Sequence, residues 1–159
     1  MNLLLALDHS SCSAAAVDAV CERYRPEHTA IRVLHVVEWP RDLPSELTFA
    51  EGPSAAKAVM EVHDELRTAG RELAERATQR LRAAGFAATP VVVEGDARRR
   101  ILETATAWPA DLIVLGSHGR RGVDRFLLGS VSEQVVRHAG CSVSVIREPH
   151  AAAVSRPAA

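Results

Sequence analysis

Four residues in the second half of the chain have the types and spacing of a phosphate-binding loop. An apolar run ends at Gly116, Gly119 follows three positions later, and after nine more residues Gly129 and Ser130 open a helical pattern. Glycines let the backbone approach a ligand closely, and the first turn of a helix presents unpaired N–H groups at the positive end of its dipole. The spacing therefore predicts that these four residues cradle phosphate groups.

The elements that must position this loop are predicted from the hydrophobic pattern. Short apolar runs indicate five strands, at residues 2–7, 30–37, 88–94, 112–116 and 142–147. Helical periods lie between them: a helix capped by Ser10 or Ser11, one from Ser54 to about Ala84, one capped by Asp96, and one from Ser130 to about Ala139. Strands that alternate with helices predict an α/β fold, an open parallel sheet with helices on both faces.

The inner faces of the last two helices follow from the same periodicity. The predicted inward residues are Ile101, Leu102, Ala105 and Trp108 in the third helix, and Val131, Val135 and Val136 in the fourth. The segment from Arg41 to Pro53 shows neither helical nor strand period and is predicted to be a loop.

Polar or conformationally special residues follow several of the predicted strands. Asp8 ends the first strand, Val36 is near the end of the second, and Gly116 ends the fourth. Ligands of such sheets bind outside the carboxyl ends of the strands, where the strand order reverses. If the first and fourth strands are neighbours, Asp8 faces the glycine loop across one crevice. The alternative is that Asp8 only caps the helix that follows it.

Composition excludes several classes of function. A chain of 159 residues is expected to form one domain, and a net charge of −1 with a pI of about 6.7 gives no overall attraction to nucleic acid. Lys57 is the only lysine, which excludes a Walker-type phosphate loop. No apolar run is long enough to predict a membrane span.

The cysteines predict a reducing compartment. Cys12, Cys21 and Cys141 form no even disulfide framework, and the N-terminus shows no cleavable signal pattern, so a cytoplasmic location is expected. His9 with Cys12 and His138 with Cys141 have metal-ligand spacing, but the predicted elements do not bring the two pairs together. No metal ligands are therefore predicted.

The glycine pattern, G-x-x-G-x9-G-S, resembles the ATP-binding signature of the universal stress protein family. Further segments resemble that family in the same order: L-L-A-L-D-H-S, L-H-V-V-E, V-x-E-G-D, and G-S-V-S-E-Q-V-V-R-H-A through C-S-V-S-V-I-R. The resemblance extends from residue 2 to about residue 147. It implies a universal stress protein domain at residues 1–148. Residues 149–159 are rich in Ala and Pro and are expected to form a loose tail.

The resemblance implies the strand order 3-2-1-4-5, membership of the ATP-binding branch, and a homodimer that forms through the last strand, Ser142 to Arg147. Asp8 would contact the ribose, the backbone near Val36 would meet the adenine, and Mg²⁺ could arrive with the triphosphate. The phosphates would lie against Gly116, Gly119, Gly129, Ser130 and Ser132, with Arg120, Arg121 and Arg125 offsetting their charge. Two positions depart from the family pattern: His9 follows Asp8, and Ser142 precedes the last strand where the family often has Pro.

The function that this resemblance implies is that of a cytoplasmic stress-response protein that binds or senses an adenine nucleotide. No catalytic residues are predicted, because the sequence contains no nucleophile and base at a defensible spacing. Two alternatives are kept. One is a slow ATP hydrolase or phosphoryl or nucleotidyl transferase that uses the same crevice, and the other is a dimeric interaction module that binds no nucleotide.

Overall fold

The computed structural model describes residues 1–39, 53–117 and 128–147. The loop predicted from Arg41 falls outside these ranges, although Pro53 already begins a helix. The predicted phosphate-site residues Gly119, Arg120, Arg121 and Arg125 and the predicted tail at residues 149–159 also lie outside the described residues.

The five predicted strands form one sheet in which every neighbouring pair is parallel. The strands are β1 (Asn2–Leu7), β2 (Ala30–Val37), β3 (Ala87–Glu94), β4 (Leu112–Gly116) and β5 (Ser142–Ile146). Their order in the sheet is β3-β2-β1-β4-β5, which confirms the predicted topology. The central strand β1 is almost entirely buried because helices cover both faces of the sheet, which explains its continuous apolar sequence.

The helices begin and end close to the predicted positions. They are α1 (Ser11–Arg23), α2 (Pro53–Ala83), α3 (Ala97–Ala107) and α4 (Ser130–His138), with a short 3-10 turn at Pro26–His28. Ser10 caps α1 by accepting a hydrogen bond from the Ser13 N–H, and Asp96 caps α3 by accepting one from the Arg99 N–H.

Two hydrophobic clusters pack on opposite faces of the sheet. One joins alternate residues of the strands, such as Leu5 and Val33, to α1 and α2. The other joins the intervening residues, such as Ala6 and Leu34, to α3 and α4. The period of two along each strand thus assigns each strand residue to one pair of helices.

The inward face of α4 differs from the prediction at one residue. Val135 is fully buried and Val131 packs against the core, but Val136 is 46% exposed. Successive residues of a helix point about 100° apart, so a nine-residue helix that buries Val135 against the sheet turns Val136 towards solvent. The prediction for Val136 was wrong because the sequence pattern allowed a wider apolar stripe than α4 buries.

Polar groups pair with one another at the amino-terminal edge of the sheet, which is the side at which the strands begin. The Met1 ammonium donates to the His28 carbonyl at 2.7 Å, the Asn2 N–H donates to Asp111 Oδ2 at 2.7 Å, and the Asp111 N–H donates to the Asn2 carbonyl at 2.8 Å. The Arg32 guanidinium lies over the Trp108 ring at 4.7 Å from its centroid, directly after the end of α3. No helix within the described ranges is both long and apolar enough to cross a bilayer.

Candidate functional site

A crevice begins where β1 and β4 stop pairing. The last paired residues are Ala6 and Leu115, and beyond them the chain continues into α1 on one side and past Gly116 on the other. The sheet order reverses here, because β2 and β3 lie on one side of β1 whereas β4 and β5 lie on the other. This is the position at which open α/β sheets bind ligands.

Asp8 forms one wall of the crevice, and its two carboxylate oxygens have different surroundings. Oδ1 accepts hydrogen bonds from the Ser10 N–H at 3.1 Å, from the Ser10 hydroxyl and from the Ser13 hydroxyl at 2.6 Å. Within the described residues no hydrogen bond reaches Oδ2. Asp8 therefore supports the start of α1 with one oxygen, whereas its second oxygen has no hydrogen bond among the described residues, and its predicted contact with a ribose remains a prediction.

Gly116 lies on the opposite wall, in close contact with the first turn of α1. A Cβ at this position would lie 2.8 Å from Cys12 Cβ, 3.1 Å from the Cys12 carbonyl carbon and 3.2 Å from the Ser13 nitrogen. Two of these atoms belong to the backbone and cannot rotate away. Glycine is thus required here by the packing of β4 against α1, whatever its contact with a ligand.

A hydrogen bond joins Ser117 and Gly129, the two residues that flank the segment containing the predicted phosphate loop. The Gly129 N–H donates to the Ser117 carbonyl at 2.8 Å, and the Ser117 N–H donates to the Ile146 carbonyl at 2.7 Å. The buried Ser132 hydroxyl lies 3.0 Å from the Ser117 carbonyl and 2.9 Å from the Gly129 carbonyl, to which it donates. The hydroxyl proton of Ser132 is therefore used to hold the loop base in this arrangement, and its predicted contact with phosphate remains a prediction.

The N-terminus of α4 differs from those of α1 and α3. Its N-cap is Gly129, which makes no side-chain capping bond, and Ser130 at the first helical position is exposed. The first N–H groups of a helix have no partner within the helix. With no side-chain cap from Gly129, these groups and the Ser130 hydroxyl suit an anionic ligand at the crevice.

The backbone of Val36 lies at the carboxyl end of β2, on the other side of β1 from the crevice opening. The Val37 carbonyl accepts from the Gly95 N–H, so the Val37 backbone points towards β3. Consecutive residues of a strand direct their backbone groups to opposite neighbours, so those of Val36 point towards β1. Because pairing with β1 ends at Leu7 and His35, the Val36 carbonyl lies beyond the last β1 residue. An adenine amino group is a suitable partner for such a carbonyl.

His35 lies within β2 and is buried, with 7% exposure. Its Nδ1 lies 2.9 Å from the Leu7 carbonyl, and its ring makes an edge contact with His9 at 5.4 Å between centroids. The sequence did not indicate that His35 would reach the residue before Asp8.

Gly70 lies above the His35 ring on α2. A Cβ at Gly70 would overlap Cδ2 of that ring and would lie 2.9 Å from its Nε2 and 3.3 Å from Val37 Cγ2. Glycine in a helix interior weakens the helix, so its presence in this long helix is a signal that could have indicated a close contact.

The rim next to Val36 carries a cluster of polar and aromatic side chains. Glu94 pairs with His63 at 3.2 Å through one oxygen and with Arg67 at 3.2 Å through the other, and the Trp39 ring packs on His63. Glu38 accepts from the Ala97 N–H at 2.9 Å. Within the described ranges no group of three histidines, cysteines or carboxylates could hold a metal ion.

The cysteines are free thiols, and none of them forms part of a metal-binding group within the described residues. Burial raises the pKa of Cys141, and the nearby negative charge of Asp111 raises it further. Burial also raises the pKa of Cys21, with an opposing effect from Arg80 and a smaller supporting effect from Asp18. At neutral pH both groups are therefore protonated and weakly nucleophilic.

Comparison with solved structures shows that the fold is shared. Universal stress protein UspA from Lactobacillus plantarum superimposes with a TM-score of 0.76 and 24% identity, covering 92% of this chain and 97% of that chain. A family member from Arabidopsis thaliana with AMP bound has a TM-score of 0.64 and 18% identity over 94% of this chain and 93% of that one. A universal stress protein in complex with cAMP has a TM-score of 0.59 and 21% identity over 92% and 96%.

Sequence comparison identifies the family. Universal stress protein YxiE of Bacillus subtilis is 30% identical over 147 residues, which cover 92% of this chain and 98% of the relative. The model of the universal stress protein family matches residues 1–147. The chain therefore belongs to the universal stress protein family.

Proposed function

We propose that this protein binds an adenine nucleotide, ATP in the first instance, in the crevice between β1 and β4. The observation that carries the proposal is that polar groups on two walls of the crevice have no hydrogen-bond partner among the described residues. Asp8 offers Oδ2 on one wall. The N-terminus of α4, which has no side-chain cap, lies on the other wall. A carboxylate oxygen accepts from ribose hydroxyls, and helix N–H groups bind phosphate.

The assignment of the nucleotide draws on family relatives. The structural neighbours with bound AMP and cAMP share the fold of this chain, and both of these ligands contain an adenosine group. In our proposal Val36 meets the adenine, Gly116, Gly129, Ser130 and Ser132 form the near wall of the phosphate site, and Gly119 and Arg120 contribute from the loop outside the described residues. Mg²⁺ would accompany a bound triphosphate.

The cellular role that we propose is that of a cytoplasmic stress-response binder or sensor that acts as a homodimer. Three free thiols support a reducing compartment. Among the described strands β5 is an outer strand of the sheet. Its outer backbone groups could therefore pair with a second copy of the chain through residues 142–147. Sedimentation that detects only monomer at micromolar concentration would contradict the dimer.

Calorimetric titration of the wild-type protein with ATP tests the proposal, with two matched variants that remove the same charge at opposite edges of the sheet. Asp8→Asn should weaken ATP binding roughly 10-fold or more, because a charge-assisted hydrogen bond to the ribose is lost. Asp111→Asn, at the amino-terminal edge, should leave the affinity unchanged. Absence of heat with ATP, ADP and AMP in the wild-type protein would refute nucleotide binding.

Incubation with ATP and Mg²⁺, followed by separation of the nucleotides, distinguishes a binder from a slow hydrolase or transferase. Retention of intact ATP over hours supports a binder. Release of ADP or AMP in proportion to protein, abolished in Asp8→Asn, would instead favour the enzymatic alternative. If no nucleotide binds and the dimer persists, the protein is an interaction module.

A further inference from the structure

The peptide unit between Leu7 and Asp8 is held at both of its ends. The Leu7 carbonyl is 2.9 Å from His35 Nδ1, and the Asp8 N–H donates to the Ser13 hydroxyl at 2.9 Å. Because a peptide bond is planar, these two contacts add to the pairing of Leu7 with β2 in fixing the orientation of the unit from which the Asp8 side chain departs. Ser13 belongs to α1, whereas His35 belongs to β2.

The His35 ring is itself confined by its surroundings. It is buried beneath Gly70 of α2, where a Cβ would overlap the ring, and its edge contacts the His9 ring. A ring enclosed in this way has few alternative rotamers, so the Nδ1 contact with the Leu7 carbonyl is held in place. The imidazole thus transmits the position of α2 to the residue that precedes Asp8.

We propose that His35 is a positioning residue that sets the Asp8 carboxylate for the ribose, so that it determines discrimination between nucleotides with and without ribose hydroxyls. The inference rests on the proposed nucleotide binding. His35 need not touch the ligand, because its effect passes through the Leu7–Asp8 peptide unit. It follows that loss of the Nδ1 contact should weaken recognition of the ribose and leave recognition of the phosphates intact.

Two substitutions that are similar to each other in shape separate the effect of losing the Nδ1 hydrogen bond from the effect of losing the ring volume. His35→Asn places an amide nitrogen close to the position of Nδ1, so it can still donate to the Leu7 carbonyl. His35→Leu has nearly the same shape as the asparagine but no donor. The probe is the ratio of dissociation constants for ATP and 2′,3′-dideoxy-ATP, measured by calorimetry on each full-length protein.

The wild-type protein should prefer ATP over the dideoxy compound roughly 10-fold or more, which is the effect of hydrogen bonds to a charged acceptor. His35→Asn should keep this ratio. His35→Leu should bring it close to one through loss of ATP affinity, with the affinity for 2′,3′-dideoxy-ATP unchanged. A general loss of stability would not produce this pattern, because it would affect both nucleotides equally.

Gly70→Ala tests the same connection from α2 and also serves if His35→Leu does not fold. The added methyl group would overlap the ring, so the ring or α2 must shift, and we expect the ratio to fall as in His35→Leu. Gly140→Ala is the matched control, because a Cβ there meets no atom within 4 Å. The ratio of this control should equal that of the wild-type protein.

The outcomes separate failure of the inference from failure of the proposed function. A wild-type protein that binds neither nucleotide overturns the proposed function. A wild-type protein that binds both equally leaves nucleotide binding in place and overturns the inference, as does an unchanged ratio in His35→Leu or a lost ratio in His35→Asn.

Discussion

The starts of the strands form the amino-terminal edge of the sheet and their ends form its carboxyl edge. The polar groups at these two edges find hydrogen-bond partners in different ways. At the amino-terminal edge, Met1, Asn2 and Asp111 pair with one another or with neighbouring backbone groups, and Arg32 packs on Trp108. At the carboxyl edge, Asp8 forms hydrogen bonds through one oxygen, no hydrogen bond reaches its other oxygen within the described residues, and α4 begins without a side-chain cap.

Under the proposed function, this difference separates groups that stabilise the fold from groups that bind the nucleotide. Buried or half-buried polar groups normally find partners, because an unmet hydrogen bond costs free energy. An edge whose groups satisfy one another needs no ligand for its stability. The proposed nucleotide would use the Asp8 oxygen that has no partner among the described residues and the N–H groups at the start of α4.

The largest effect is expected at Gly116. Gly116→Ala would place a methyl group against backbone atoms of Cys12 and Ser13, so β4 and α1 would have to move apart. We expect a loss of about 1–3 kcal/mol in the free energy of unfolding, measured by urea denaturation. Because both walls of the crevice would shift, ATP affinity should fall as well.

Gly140→Ala is the control for that measurement, since its Cβ would enter open space. Its free energy of unfolding and its ATP affinity should match those of the wild-type protein within about 0.5 kcal/mol. Equal stability of Gly116→Ala and Gly140→Ala would show that β4 and α1 are not closely packed at Gly116 and would contradict the requirement for glycine there.

The second prediction compares the two helices that begin at the crevice. Ser10→Ala removes the cap of α1 and a hydrogen bond to Asp8, and should cost about 1 kcal/mol of stability. Ser130→Ala removes an exposed hydroxyl at the first position of α4 and should have a much smaller effect on stability, but it should weaken ATP binding. A loss of stability in Ser130→Ala with normal ATP binding would reverse the roles assigned to these serines.

The smallest effect is expected at the amino-terminal edge. Asp111→Asn keeps an acceptor for the Asn2 N–H and removes the charge that helps to raise the pKa of Cys141. The pKa of Cys141 should move down towards its ordinary value, so more thiolate is present at pH 8 and alkylation is slightly faster. Mass spectrometry of each labelled cysteine measures the rates, with Cys21 as the internal control, and an unchanged rate at Cys141 would contradict the effect of Asp111.

Much of this organisation could be predicted from local patterns. The apolar runs located all five strands to within one residue at each end, and Ser10 and Asp96 marked two helix starts, because strand burial and helix capping depend on nearby residues. Asp8 and Gly116 could be placed at one crevice because the carboxyl ends of parallel strands lie at the same edge.

Contacts between distant elements were not accessible in the same way. The Gly70 contact with His35 depends on how closely α2 approaches β2, and the Ser132 hydroxyl reaches Ser117 only because α4 returns to the end of β4. The exposure of Val136 depends on which side of α4 faces the sheet. Periodicity predicts that a face is apolar, but packing decides how wide the buried stripe becomes.

The hydrogen bond between Ser117 and Gly129 has a consequence for variation in length. Ser117 directly follows β4 and Gly129 directly precedes α4, so we expect a change in the length of the chain between them to leave both elements in place. The entropic cost of such an insertion grows only with the logarithm of length, about 0.6 kcal/mol for each doubling. Loops of other sizes and charges could therefore be grafted between these two residues, which makes this position a suitable place to engineer new ligand preferences onto an unchanged scaffold.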